Sequence, residues 1–383
     1  MLTHLTFGRM NSTFNLNQKP LVVIWEVTRA CDLACFHCPV SAKAGRNPVE
    51  LTTLEGKKLI DDIAQLEPPA FIFTGGDPLK RPDIYELVEY AASKYLQPAM
   101  TPSATPLLNG ESLMHLKRAG LKRLALSLDG PTPELHDSFR CVPGSFVRTL
   151  DAMHCANAIG LPVQINTTIS RRNINELEDI LPVVRNFRIV MWNLFFMVPT
   201  AQAETADLPS PEEFESAFAR IYELSQALPF KIKTSEAPHY RRYVLQQRSQ
   251  LTAEEKPAHA RLEMSPINEG KGLMFISHTG QVLPGGFLPV SAGNVRDDSV
   301  LEIYRNSEVL RQLRDPNNLR GKCGRCEFRE ICGGSRARAY ALSGDIFAED
   351  PSCVYIPQGE DNIGFATHLA GSCNKSSTEA GHH

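Results

Sequence analysis

Between residues 21 and 198 the chain alternates short β-rich runs with segments of helical period, and this alternation restricts it to very few architectures. The runs are LVVIWEV (21–27), AFIFT (70–74), 97–102, LKRLALSL (121–128), LPVQINTTI (161–169) and RIVMWNLFFMV (188–198). Helix-like stretches lie between them at 53–66, 82–95, 110–119, 145–159 and 173–186. In the first, Leu54, Leu59, Ile60, Ile63 and Leu66 recur at helical spacing. Six units of about 30 residues predict a parallel sheet with its helices outside. Six are too few to close an eight-fold barrel. The expected fold class is therefore α/β, a partial (β/α)6 TIM-like barrel. Such sheets carry their chemistry at the carboxyl ends of the strands, so a motif gains weight by lying there.

The chain has 383 residues, room for a barrel and an appendage, and 42% hydrophobic residues supply a sizeable core. The barrel pattern occupies 19–205, after an N-terminal arm at 1–18. Residues 206–268 read as a bridging helix, about 209–229, and a polar stretch, 236–268, suited to a lid or loop. From 269 the texture changes. LMFIS-HTG-QVLPGGF predicts a hairpin turning at His278–Gly280, and Gly293 to Leu313 contains a short helix. Residues 269–358 thus predict a small C-terminal α+β domain. Residues 359–383 are polar and read as a flexible tail, whose two final histidines read as a tag remnant. A net charge of −3 argues against a nucleic-acid binder. No apolar run reaches membrane-span length, and no secretory leader opens the chain, so no membrane association and a cytoplasmic setting are expected. In that setting ten cysteines point to metal or catalysis rather than to disulfides.

Cys31, Cys35 and Cys38, spaced C-x3-C-x2-C, follow the first strand directly. Three thiolates so close together can hold three corners of a cubane iron–sulfur cluster and leave the fourth iron open to a small molecule. The competing reading is a zinc site with His37 as fourth ligand. A second set, Cys323, Cys326, Cys332 and Cys353, supplies four thiolates for a closed centre, either 4Fe–4S or structural zinc. Cys155 reads as a plain buried residue, Cys373 lies in the tail, and Cys141 reads as a small hydrophobe beside Arg140.

The three-cysteine motif at this place resembles the radical S-adenosylmethionine (SAM) superfamily. In that family the open iron chelates SAM, and one electron cleaves SAM to a 5′-deoxyadenosyl radical. The resemblance extends to Gly75, Gly76, Asp77 and Pro78, which look like the family's GGE/GGDP motif that meets the SAM amino group through backbone. It also extends to Ser127 and Asp129 at the end of the fourth strand, to Asn166 on the fifth, and to Arg140, which resembles an arginine pairing with the SAM carboxylate. Glycines at 75 and 76 permit a close backbone approach. The stretch 323–353 resembles the SPASM or twitch extension, which holds auxiliary clusters. Members of that type often have seven cysteines. Here Pro284-Gly285-Gly286 and Ser335 stand where further cysteines are common, so one auxiliary cluster is expected, serving electron transfer. The expected cofactors are two 4Fe–4S clusters and SAM.

Thr101–Pro106 and the segment CGGSRARAYALSGDIFAEDP resemble the tetrapyrrole-modifying branch of heme biosynthesis. That implies hydrogen abstraction followed by oxidative decarboxylation, or another side-chain modification, of a siroheme- or heme-type ring. The same architecture serves maturases that oxidise or cross-link ribosomal peptides, so the expected partner is a small-molecule or peptide substrate. Flavodoxin or ferredoxin is the expected reductant. The reading from another class is a non-enzymatic zinc or iron–sulfur scaffold or electron carrier. Arg336 and Arg338 offer a substrate carboxylate site, against which stands the plainer role of stabilising the second cluster or of forming a helix face in solvent.

Overall fold

The computed structural model describes residues 15–39, 43–200, 205–250 and 266–358. Six strands fall where the pattern predicts them: β1 Val22–Glu26, β2 Ala70–Thr74, β3 Pro98–Met100, β4 Arg123–Ser127, β5 Val163–Ile169 and β6 Ile189–Phe196. A seventh, β7 Lys231–Ser235, lies in the segment read as a bridge. The seven are parallel neighbours in chain order. The C-terminal segment adds β8 Asn268–Glu269, β9 Gly272–Ile276, β10 Gln281–Leu283 and β11 Gly293–Asn294. The hairpin β9–β10 turns where expected, and β9 pairs in parallel with β1. The sheet therefore runs unbroken across the expected boundary at 269.

Alternation along the strands separates a helix-facing side from an inward one. In β1, Val23 and Trp25 join the core beneath the helices, while Ile24 and Glu26 point inward. In β5, Val163, Ile165, Thr167 and Ile169 are buried, while Gln164, Asn166 and Thr168 are only half-buried on the lumen side. The helix Thr53–Leu66 starts on a capping box in which Thr52 and Glu55 each bond the other's backbone N–H. It buries Leu59, Ile60, Ile63 and Leu66, while Leu54, part of the predicted apolar spacing, is exposed. Gly56 lies so close to Trp25 that a Cβ there would stand 2.7 Å from the indole.

Elsewhere the structure departs from the pattern. A helix Pro133–Arg140, not anticipated, follows β4. The predicted helix 173–186 is a 3-10 turn, Ile174–Glu176, and a short helix, Ile180–Val184. The stretch read as a lid contains the helix His239–Ser249, packed through Tyr240 and Val244 into the core. The arm up to residue 14 and the tail from 359, Cys373 included, lie outside the described residues.

Candidate functional site

The loop after β1 is fixed by the backbones of its neighbours. Gly76 N–H donates to the Thr28 carbonyl (2.8 Å), and Asp77 N–H to that of Ala30 (2.7 Å). A Cβ on Gly76 would stand 2.5 Å from the Ala30 carbonyl oxygen and 2.7 Å from that of Arg29. The paired glycines thus let the turn after β2 lie against the strand that leads into the cysteines. From the far side, Ala34 N–H and Phe36 N–H donate to the carbonyls of Arg140 and Phe139 (3.3 and 3.2 Å), at the end of the unanticipated helix. All three thiols therefore sit on a loop clamped between β2 and the helix after β4.

Donors surround the sulfurs. Cys31 Sγ lies 3.3 Å from Ser103 Oγ and accepts from Leu33 N–H at 3.4 Å. Arg140 Nη1 stands 3.7 Å from Cys35 Sγ. Burial pushes both thiols up, against the pull of these donors. Ser103 Oγ also donates to the Gly76 carbonyl (2.9 Å), and Thr105 Oγ1 to Asp77 Oδ2 (2.8 Å). The segment Thr101–Pro106 therefore braces the GGDP turn. With Oδ1 accepting from Leu79 N–H, both oxygens of the buried Asp77 carboxylate are hydrogen-bonded within the protein.

Arg140 and Asp129 form a buried ion pair. Asp129 Oδ1 also accepts from Thr168 N–H at 2.9 Å. Burial raises the Asp129 carboxyl, but Arg140, His37 and His136 outweigh it and hold the group below the usual carboxylate range. The fork read as a SAM carboxylate partner is thus engaged by Asp129 and Cys35, and only Arg140 Nε lacks a partner. Burial, then Arg140, pulls His37 down to about 4. Its ring packs on Phe36 and Phe139 (5.1 and 5.8 Å). Ser127 and Asn166 are register partners, and the row continues through Asn193 and Lys233.

The second thiol set lies beyond the end of β7. Cys323, Cys326, Cys332 and Cys353 line one cavity, together with His239 and Arg242 of the helix His239–Ser249. Amides of Asp350, Phe328 and Gly334 donate to Cys323, Cys326 and Cys332, each at 3.4 Å. Burial raises all four thiols, Cys353 to about 11. Among the described residues no three Cys, His or carboxylate side chains converge closely enough to hold one metal ion; the four thiols surround a space rather than a point. Arg336 reaches Cys323 Sγ (3.8 Å) and the carbonyls of Ile346 and Ala348, while Arg338 pairs with Asp350 (3.0 Å) in full burial. Both are occupied within the protein, Arg336 in part by a thiol of the second set and Arg338 by a carboxylate. Ser335 Oγ donates to Glu236 (2.7 Å) and lies 3.5 Å from Glu269, whose side chain also packs against Gly285. Ser335 and Gly285 therefore meet around a carboxylate pair.

Cys141 is exposed and caps its helix at φ 53°, a left-handed conformation that favours glycine. Cys155 is partly buried against the core. Trp192 faces the helices and donates to Thr167 Oγ1 (2.8 Å). The sequence reading singled out Thr101–Pro106 without giving Ser103 and Thr105 their bracing role, and it passed over the helix Pro133–Arg140 and Lys233. The helix has a sequence signal, Thr132 followed by Pro133, an N-cap and a proline at the first turn.

A sequence model of the radical SAM superfamily matches residues 25–182, and one of an iron–sulfur cluster-binding domain, SPASM, matches residues 268–327. The chain is 40% identical over 341 residues to AdoMet-dependent heme synthase of Oleidesulfovibrio alaskensis, covering 88% of each chain. It is 39% identical to AdoMet-dependent heme synthase of Methanosarcina barkeri, covering 89% of this chain and 98% of the relative. Its fold matches SuiB of Streptococcus suis, solved with S-adenosylmethionine, with a TM-score of 0.69 at 15% identity, covering 88% of this chain and 78% of SuiB.

Proposed function

This chain belongs to the radical SAM superfamily, with a SPASM iron–sulfur extension, and we propose that it converts propionate side chains of an iron tetrapyrrole to vinyl groups by oxidative decarboxylation. What supports the reading is the 40% identity to a heme synthase, spread over 88% of both chains.

In this reading Cys31, Cys35 and Cys38 hold a 4Fe–4S cluster with one open iron. The donor set fits it: three sulfurs on one clamped loop, with hydroxyl, amide and guanidinium groups placed to offset thiolate charge. Gly75–Pro78, Ser127 and Asn166 line the seat for SAM. Asp129 acts through Arg140, and Arg140 positions Cys35. Cys323, Cys326, Cys332 and Cys353 hold one auxiliary 4Fe–4S cluster, and the carboxylates around Ser335 and Gly285 take the place of a second. When bound, these groups supply hydrogen-atom abstraction after one-electron cleavage of SAM, and an acceptor for one electron. The substrate side chain balances accordingly. It loses a hydrogen atom, its carboxylate leaves as carbon dioxide, one electron passes on, and a carbon–carbon double bond remains. Flavodoxin or ferredoxin supplies the starting electron. No helix among the described residues is long and apolar enough to cross a membrane.

The test is anaerobic reconstitution followed by incubation with SAM, dithionite and iron coproporphyrin III. The expected result is 5′-deoxyadenosine and a porphyrin that has lost carbon dioxide and two hydrogens per converted side chain. SAM cleavage with an unchanged porphyrin, or turnover of a peptide instead, would overturn the reading.

A further inference from the structure

The barrel lumen holds two cations that no described group neutralises. Arg123 opens β4, and Lys233 is the middle residue of β7. Leu124, Leu126 and Ile232, their alternating neighbours, pack on the helix side, so Arg123 and Lys233 face inward. Neither has a hydrogen-bond or ion-pair partner among the described residues. Protein surrounds Lys233, yet its side chain keeps open surface, as a residue lining a lumen does. Burial, then Arg123 and Arg241, pulls its ammonium down to about 8. Arg241, by contrast, is spent on the carbonyls of Ile331 and Ile267. Two like charges facing one lumen without a counter-ion repel each other, and an anion between them relieves that repulsion.

Lys233 also ends the register row that contains Ser127 and Asn166, residues read above as lining the SAM seat. Asn166 and Asn193 accept through Oδ1, from Gln164 Nε2 (2.7 Å) and Ser235 Oγ (2.9 Å). Their amide N–H donors are left for a ligand. The row therefore grades from neutral donors to a cation, moving away from the SAM seat.

We infer that Lys233 and Arg123 bind the propionate carboxylates that the substrate keeps, an assignment that rests on the tetrapyrrole reading. A cation beside a departing carboxylate stabilises the charge that vanishes as carbon dioxide leaves, and so raises the barrier. Beside a retained carboxylate it anchors the ring without that penalty. A heme-type product keeps two propionates, one for each cation.

The test uses the reconstituted enzyme without SAM, titrated by Soret absorbance with iron coproporphyrin III, which has four propionates, and with heme, which has two. Lys233→Met and Arg123→Met are each expected to weaken both ligands about ten- to a hundredfold, the worth of a lost charge-assisted contact. The tetramethyl ester of iron coproporphyrin III should bind wild type and variants alike. Lys233→Arg should restore affinity, and unchanged iron content certifies the fold of each variant. Loss of coproporphyrin affinity with heme affinity intact would place the cations on the departing carboxylates and overturn the assignment. Equal binding of both porphyrins by wild type and variants would overturn it while leaving the tetrapyrrole reading in place. No Soret change with wild type would end both.

Discussion

Arg140 carries two burdens at once, the fully buried Asp129 carboxylate and the half-buried Cys35 sulfur. Arg140→Met leaves Asp129 without its cation. Breaking a buried pair from one side costs about 3–5 kcal/mol, far more than any surface contact. Anaerobic urea denaturation should show a loss of that size, with iron lost first from the three-cysteine loop. Wild-type stability and iron content in Arg140→Met would mean that the pair is idle. Glu236 makes the opposite case. Burial, then the Glu269 carboxylate, raises its carboxyl well above the ordinary value, against Ser335 and Arg338. The folded chain thus keeps a proton that the unfolded chain releases near the ordinary carboxyl range. Its stabilising share is complete below the unfolded pKa and fades as pH rises toward the folded one. Glu236→Gln removes a group that titrates but keeps its shape. Its urea midpoint should therefore fall less than the wild type's between pH 4.5 and neutrality. Parallel curves would show that Glu236 does not hold the proton.

At the scale of elements, the turn after β2 and the cysteine loop are one unit, because glycine lets their backbones touch. Gly76→Ala inserts a methyl group 2.5 Å from the Ala30 carbonyl, and backbone cannot step aside as a flexible side chain does. The loop should be displaced while the distant auxiliary thiols stay in place. Iron is expected to fall from about eight to about four per chain, with the SPASM cluster retained. Full iron in this variant would show that the loop tolerates the shift. Elements with a local signal were legible in the sequence. Residues 53–66 combine a capping box with apolar positions at helical spacing, and the helix spans that range. β7 was not legible, and the reason is physical. Its inward residues Lys231, Lys233 and Ser235 line a lumen, so the strand KIKTS lacks the apolar face by which strands are recognised. The site was legible in its thiols and its GGDP turn, whose spacing is local. The Asp129–Arg140–Cys35 chain was not, because a helix of eight residues has to fold before Arg140 can reach Cys35.

At the scale of the whole molecule, the SPASM extension is built into the barrel at both edges. β9 pairs with β1, the strand that delivers the cysteine loop. At the other edge, Arg338 and Ser335 bond Glu236 just past β7, Arg241 donates to the Ile331 carbonyl (2.9 Å), and His239 and Arg242 wall the auxiliary cavity. Both edges of the barrel are thus tied to one extension, and the tie near β7 adjoins the strand of Lys233. Cys332→Ser removes one of the four auxiliary thiols. If that centre accepts the electron from the substrate, the variant should hold about four irons and still cleave SAM. Vinyl product should collapse, so that 5′-deoxyadenosine accumulates without matching porphyrin turnover. Measuring the two products side by side separates the roles. Parallel loss of both would make the auxiliary centre a support for the barrel, and parallel retention would leave it outside the reaction.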